Sequence, residues 1–311
     1  MSITARIDNV TTLTDRYAVV KPPVPKSVKI EVTGRCNFRC NFCAHFQRLR
    51  KVGDMDFELF KRLAKEMREA GVEELGMFYL GESFLCKWLA AGIRYAKEEC
   101  GYPYVFLTTN GSLATPQKVE AAMAAGLDSL KFSLNYADEE QFSEIAQVKT
   151  ALFKKIGEHV RMAKAIRDGL GYKCGLYGSF IEYDAAQDGK MAAYLAGLEP
   201  YLDEMYALPL YNQAALVENP DWDFIQGNRG RAGNLRPPLP CWSIFTEGHI
   251  SSDGRLSACC FDHDNRFNMG DLTKVSFMEA WHSQPFQELR RAHLAEDVTG
   301  TICEKCVAVE S

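Results

Sequence analysis

Residues 27–43 read Ser27-Val28-Lys29-Ile30-Glu31-Val32-Thr33-Gly34-Arg35-Cys36-Asn37-Phe38-Arg39-Cys40-Asn41-Phe42-Cys43. The first seven alternate polar and apolar side chains and are rich in β-branched residues, so they read as a strand. Three thiols follow within eight positions. Three thiolates can hold three irons of a 4Fe–4S cluster and leave the fourth iron open to bind and activate a substrate. A cluster closed by four cysteines only transfers electrons. Three thiolates and a histidine can equally hold zinc, and His45 stands close by.

Outward from this stretch the pattern repeats. Helical periodicity over 56–70, with Gly71 as C-cap, is followed by a strand at 75–80 and a helix at 87–100. Next come a strand at 104–109, a helix at 116–125 with Thr115 as N-cap and Pro116 at its first position, and a strand at 129–134. A long helix at 148–168, a strand at 172–181, a helix at 189–198 and a strand at 204–209 complete the series. Six β-then-α units predict an α/β fold with a parallel sheet and right-handed crossovers. Their length and order fit a partial (β/α)6 barrel of TIM type, with a doubly wound open sheet as the alternative. In a barrel the cysteine loop lies at the carboxyl end of the first strand, where such folds place their chemistry.

Residues 1–26 read as a polar N-terminal arm that Pro22, Pro23 and Pro25 make extended at its end. The barrel occupies 27–210, and 211–240, with GNRGRAGN and LRPPLP, is a connecting segment of turn formers. Residues 241–311 hold five of the 11 cysteines and are too few for a large core, so a metal is expected to support them.

Composition narrows the function class. Hydrophobic residues make up 47% and charged residues 25%, an ordinary globular balance, so disordered and low-complexity classes drop out. Lys and Arg number 36 against 41 Asp and Glu, a net charge of −5 that gives no footprint for nucleic-acid binding. No stretch is long and apolar enough for a membrane span, and the first residues lack the apolar core of a secretory signal. A cytoplasmic location is expected, where cysteines serve metal or redox chemistry and not disulfides.

Cys241 and Cys259, eighteen positions apart, and the pair Cys303 and Cys306 make a four-thiolate tetrahedral set that suits structural zinc or a fully ligated iron–sulfur cluster equally. Cys260 is left over: a core cysteine, a replacement ligand for Cys259, or a hydrogen-atom donor. Cys86, Cys100 and Cys174 read as small core hydrophobes. Arg229, Arg231 and Arg236 suit bidentate capture of an anionic substrate at the barrel mouth, or belong to a solvated linker. Asp262 is a candidate pocket residue or an ordinary charged turn.

Several segments together resemble the radical S-adenosylmethionine (radical SAM) superfamily. They are Cys36, Cys40 and Cys43 after the first strand, Leu80-Gly81-Glu82 after the second, Thr109-Asn110-Gly111 after the third, and Ser133 and Asn135 ending the fourth. The resemblance implies that the three cysteines hold a 4Fe–4S cluster whose open iron chelates S-adenosylmethionine. It further implies that Phe42 packs near the adenine, that Gly81 and Glu82 meet the ammonium end, and that Thr109, Asn110, Ser133 and Asn135 line the cofactor. Leu80 departs from the family's glycine at that position. The segment from Cys241 through Gly248, Asp253-Gly254, Cys259 and Ala280-Trp281 to Cys306 resembles the SPASM/twitch extension, in a one-cluster layout similar to that of deoxy-scyllo-inosamine dehydrogenases. That resemblance implies a second, auxiliary 4Fe–4S cluster and a flavodoxin- or ferredoxin-type reductant.

The expected function is hydrogen abstraction by a 5′-deoxyadenosyl radical from a small polar substrate (a sugar, aminocyclitol or nucleoside). Oxidation follows, with the auxiliary cluster as electron acceptor. Epimerisation through Cys260, modification of a ribosomally made peptide, and a metal-binding module without turnover are the alternatives.

Overall fold

The computed structural model describes residues 1–44, 50, 52–183, 185–219 and 222–307. Nine strands make one sheet: β1 (Ser27–Ile30), β2 (Glu74–Gly76), β3 (Tyr104–Thr109), β4 (Ser129–Ser133), β5 (Gly175–Glu182), β6 (Glu204–Pro209), β7 (Glu247–Ile250), β8 (Arg255–Ser257) and β9 (Asn268–Asp271). Their spatial order is β6-β5-β4-β3-β2-β1-β7-β8-β9. The first six pair in parallel, β7 adds in parallel to β1, and β8 and β9 run antiparallel.

Between the parallel strands lie helices α2 (Phe57–Ala70), α3 (Leu89–Arg94), α4 (Pro116–Ala124), α5 (Glu139–Ala146), α6 (Ala151–Leu170) and α7 (Ala185–Ala196). An open doubly wound sheet reverses its strand order partway. Here β1 to β6 follow one another without reversal, so the fold is a TIM-like partial barrel.

Helix α2 shows how local chemistry sets an element. Asp56 caps it by accepting from the Leu59 amide, and Gly71 ends it at φ 107°, a left-handed conformation that favours glycine. Phe60, Leu63, Ala64 and Met67, at helical spacing, are all fully buried. Each of the three large side chains stabilises the layer by roughly 1.5–3 kcal/mol.

Some elements differ from the sequence pattern. The strand expected at 75–80 ends at Gly76, because the chain bends there toward the cysteine loop. The helix expected at 87–100 is α3 continued by a π turn over Tyr95–Glu99. Thr115 precedes α4 without a side-chain cap. The long helix begins at Ala151, with α5 before it. Of the three cysteines read as core, Cys86 and Cys174 are buried and Cys100 is partly exposed.

The polar arm opens with a helix, α1 (Ile3–Thr11). Ser2 caps it, and Ile3, Ile7 and Val10 fall on one face at helical spacing. That face lies across the amino ends of the barrel strands. The Ile3 amide donates to Glu204 at 2.8 Å, and Arg6 pairs with Glu74 at 2.8 Å while its guanidinium sits 3.7 Å over the Tyr104 ring. Glu204, Glu74 and Tyr104 each start a strand.

The connecting segment runs along the free edge of β6, where the Ala232 amide donates to the Ala207 carbonyl, and so covers that edge. Its arginines do not reach the barrel mouth, which corrects the substrate role considered for them. Arg231 is bidentate on Asp8 at 2.9 and 2.7 Å, Arg236 donates to Thr11 and to the Asp8 carbonyl, and Arg229 donates to the Arg236 carbonyl. Arg231 and Arg236 clamp α1 in place, and Arg229 braces Arg236.

After the connection come α8 (Ser243–Thr246), α9 (Phe277–Trp281), α10 (Gln284–Leu294) and α11 (Glu304–Val307), packed around β7 to β9. Among the described residues no helix is long and apolar enough to cross a membrane.

The Asp8 clamp yields a test. Asp8→Ala lowers stability by about 1–2 kcal/mol, the partial exposure of the pair considered. The hydrogen-bonded Arg231 guanidinium holds the Asp8 carboxyl below the usual carboxylate range. Denaturation of wild type and variant across pH shows a full gap above about pH 4 that closes as pH falls through the lower pKa of Asp8.

Candidate functional site

The cysteine loop leaves β1 at the carboxyl end of the barrel. Its Arg39 and Asn41 amides donate to the Ala146 and Ile145 carbonyls, which α5 would otherwise leave unpaired at its end. The thiols face one another closely enough that the charges of Cys36 and Cys43 both raise the pKa of Cys40, whose main cause of elevation is burial. The Tyr136 hydroxyl lies 3.3 Å from the Cys40 sulfur. His45, the alternative zinc ligand, lies outside the described residues.

Gly81 and Glu82 brace this loop. A Cβ at Gly81 would sit 2.1 Å from the Thr33 carbonyl oxygen and 2.7 Å from that of Arg35, so only glycine permits the contact. The Glu82 amide donates to the Arg35 carbonyl at 2.8 Å. The Glu82 carboxylate is 1% exposed. It accepts from Thr109 Oγ1 at 2.8 Å, the Asn110 amide at 2.8 Å and the Phe84 amide at 3.1 Å. Burial pushes its pKa up against these donors. Through these bonds Glu82 positions the neighbouring loops.

Asn110 in turn donates to Asn37 at 3.0 Å, inside the cysteine loop, and accepts from Ser112. Asn37 donates to Ser112 at 2.8 Å. Sequence reasoning missed Asn37 and Ser112. The signal available was an amide directly after the first cysteine, facing a polar turn.

Phe42, Ser133 and Asn135 line a cavity of about 220 Å³ together with Ser179 and Gln213. Asn135 Oδ1 is buried there without a hydrogen-bond partner among the described residues. A buried carbonyl left this way calls for a ligand donor, so these residues fit a polar cofactor such as S-adenosylmethionine. Gln213 was not singled out by sequence. It donates to the Phe42 carbonyl at 2.9 Å and accepts from the Ala44 amide at 3.0 Å, fixing the end of the cysteine loop.

The second thiol set also comes together. Cys241, Cys259, Cys303 and Cys306 are 7–8% exposed. Cys303 and Cys306 both act on Cys259, and Cys241 and Cys306 on Cys303. Burial pushes Cys241 up to about 12 and Cys306 to about 11. Thiolates here therefore need the positive charge of a bound metal, as a cluster supplies. No cysteine is in a disulfide.

Cys260 stands beside this set, its charge acting on Cys259 and Cys306. It lies on the wall of a second cavity of about 270 Å³, and Asn228 Nδ2 reaches its sulfur at 3.2 Å. Asp262 does not join it. Both Asp262 oxygens are taken by Ser257, Arg266, Phe267 and Asp264, so it organises its own loop, a correction to the pocket role considered for it.

The same cavity carries charge that sequence reasoning overlooked. Lys29 pairs with Glu247 at 2.9 Å, and His249 meets that carboxylate at 2.9 Å. Lys131 lines both cavities. A lysine inside an apolar strand, at 29 and again at 131, was the legible sign.

Gly81→Ala forces the second and first loops apart. The expected loss is about 3 kcal/mol, the upper end of overpacking costs. Iron analysis should show a fall from about eight to about four irons per chain, the Cys241 set retaining its own. Full iron loading with unchanged stability would contradict the close contact.

Comparisons with known proteins agree with this geometry. The profile of the radical SAM superfamily matches residues 30–172, and that of the SPASM iron-sulfur cluster-binding domain matches residues 241–307. The GTP 3',8-cyclase of Chlorobaculum tepidum is 32% identical over 135 residues, 43% of this chain and 39% of that protein. The matched stretch thus spans about two fifths of that relative. The structure of BtrN in complex with AdoMet and 2-DOIA superposes with a TM-score of 0.60 at 15% identity, over 92% of this chain and 93% of that one. Streptococcus suis SuiB bound to precursor peptide SuiA superposes with a TM-score of 0.63 at 14% identity, over 91% of this chain and 68% of that one. At such identities the likeness concerns the fold. The two profiles fall on the two thiol sets: the chain carries a radical SAM domain, with a SPASM iron–sulfur cluster-binding domain following its barrel.

Proposed function

We propose that the chain oxidises a small polar molecule, such as a sugar, aminocyclitol or nucleoside, held in the barrel lumen between its two iron–sulfur sites. One observation carries this reading. The cavity beside Phe42, Ser133 and Asn135 and the cavity beside Cys260 share Lys131, Leu208, Tyr211 and Phe261 in their walls. A ligand there would touch the cofactor residues at one side and the segment of the auxiliary ligand Cys259 at the other.

When bound, the first cluster and S-adenosylmethionine supply a carbon radical that takes a hydrogen atom from the substrate. The chain's own residues do the rest. Cys36, Cys40 and Cys43 hold the first cluster. Asn135 offers its unpaired carbonyl and Ser133 its hydroxyl to the cofactor, and Phe42 gives it an apolar face. Glu82 fixes Thr109 and Asn110. Leu208, Tyr211 and Phe261 keep water from the reacting carbon. Cys241, Cys259, Cys303 and Cys306 hold the auxiliary cluster, which, lacking an open iron, is suited to accept an electron. A cytoplasmic setting with a flavodoxin- or ferredoxin-type reductant completes the proposal. The complex of BtrN with AdoMet and 2-DOIA supports it, since that chain and this one match over nearly their whole lengths.

Cys260 supports a second reading. Its sulfur is on the cavity wall. A thiol there could return a hydrogen atom to the opposite face and give an epimer.

The test is anaerobic reconstitution with iron and sulfide, then dithionite and S-adenosylmethionine. 5′-Deoxyadenosine is expected from wild type and not from the Cys36/Cys40/Cys43→Ala variant. In a screen of aminocyclitols and sugars, a ketone supports oxidation. An epimer that Cys260→Ala no longer makes supports the second reading, and turnover of a peptide alone displaces both. A preparation that binds zinc, takes up no iron and cleaves nothing would leave only a binding module.

A further inference from the structure

Lys131 sits in the middle of β4, between the fully buried Leu130 and Phe132. Strand alternation turns it to the opposite side, into the lumen. There it is open to both cavities. Among the described residues its ammonium makes no hydrogen bond and no ion pair.

The groups that face it come from several elements. Lys29 on β1 and Glu247 on β7 act on it electrically, but they are already paired with each other, and Glu247 also with His249. The Tyr206 ring on β6 lies 5.6 Å from Nζ. Cys260 and Tyr211 complete the wall. The other lumen cations, Lys29 and Arg6, each have a carboxylate partner. Lys131 alone of the three is left without one. Burial in the barrel and, next, repulsion by Lys29 lower its pKa to about 7, against the pull of Glu247. Much of it is thus a free amine at neutral pH.

We propose that Lys131 is the base that takes the proton from the substrate as it is oxidised. This rests on the oxidation reading above. Once the carbon bearing a hydroxyl has lost its hydrogen atom, the O–H bond breaks and an N–H bond forms at Lys131 Nζ. The unpaired electron leaves to the auxiliary cluster, which is reduced by one electron, and the carbon and oxygen form a ketone. No other co-reactant is required. The neutral amine becomes an ammonium that solvent must discharge before the next turnover.

Two measurements test this. The first needs no substrate. In full-length, cluster-loaded protein with ε-13C-labelled lysine, the NMR signal missing from Lys131→Met is titrated. A midpoint near pH 7 is expected, against about 10.4 for ordinary lysines. A midpoint near 10 would overturn the assignment.

The second uses an aminocyclitol or sugar that wild type converts to a ketone. In Lys131→Met and Lys131→Arg the ratio of ketone to 5′-deoxyadenosine should fall about 100-fold or more. In wild type the rate of ketone formation should rise as pH passes about 7, and that limb should vanish in the variants. Wild-type ratios, or a limb unmoved by substitution, would also overturn it. If wild type forms no ketone from any compound in the screen, the oxidation reading has failed, and the titration still decides whether Lys131 is a free amine.

Discussion

The carboxylate of Glu82 and the glycine before it hold three strand ends together. Gly81 lets the chain lie against the Thr33 and Arg35 carbonyls after β1. Glu82 then gathers the turn after β3 through Thr109 and Asn110. Asn110 passes the connection back to Asn37 beside Cys36. A buried carboxylate accepting three hydrogen bonds is costly to leave unsatisfied, so the network holds as a unit. The position of the first cluster loop follows from it, and the cofactor cavity opens beside that loop.

Below this collar the lumen is unusual for a barrel core, which is ordinarily filled by layers of apolar side chains. Lys29, Glu247 and His249 form a closed polar group, with Lys131 apart from it. The arrangement needs the barrel base to be covered, and α1 provides the cover through Arg6 and the Asp8 clamp. The N-terminal helix and the connecting segment therefore serve the interior from outside the strands.

Much of this was legible in the sequence. The strands at 104–109 and 204–209 have the expected bounds because each is an apolar run with turn residues on both sides. That the thiols gather into two groups was legible from their spacing. The failures have physical causes. α1 was hidden because its only large apolar residues are Ile3, Ile7 and Val10, and a short apolar face is weak against a Pro-rich sequel. Arg229, Arg231, Arg236 and Asp262 looked available for a ligand because sequence does not show which charges meet. Asp8, the Arg236 carbonyl and the backbone amides of Asp264, Arg266 and Phe267 claim them instead. Lys131 went unremarked because a lysine in a strand reads as a solvent-facing residue until the sheet closes around it.

Gln213, Ala214 and Ala215 all have positive φ, at 49°, 61° and 59°. Three successive non-glycine residues in this region cost roughly 1–2 kcal/mol each. Such a turn persists where its surroundings over-determine it. The Gln213 side chain grips Phe42 and Ala44, and the Ala214 amide faces the Cys306 sulfur. One turn therefore spans the gap between the two iron–sulfur sites. Surface connections ordinarily tolerate insertions and deletions as they diverge. This one is free to vary in length on either side but not between Asn212 and Val217, where a single residue gained or lost would unhook one site from the other.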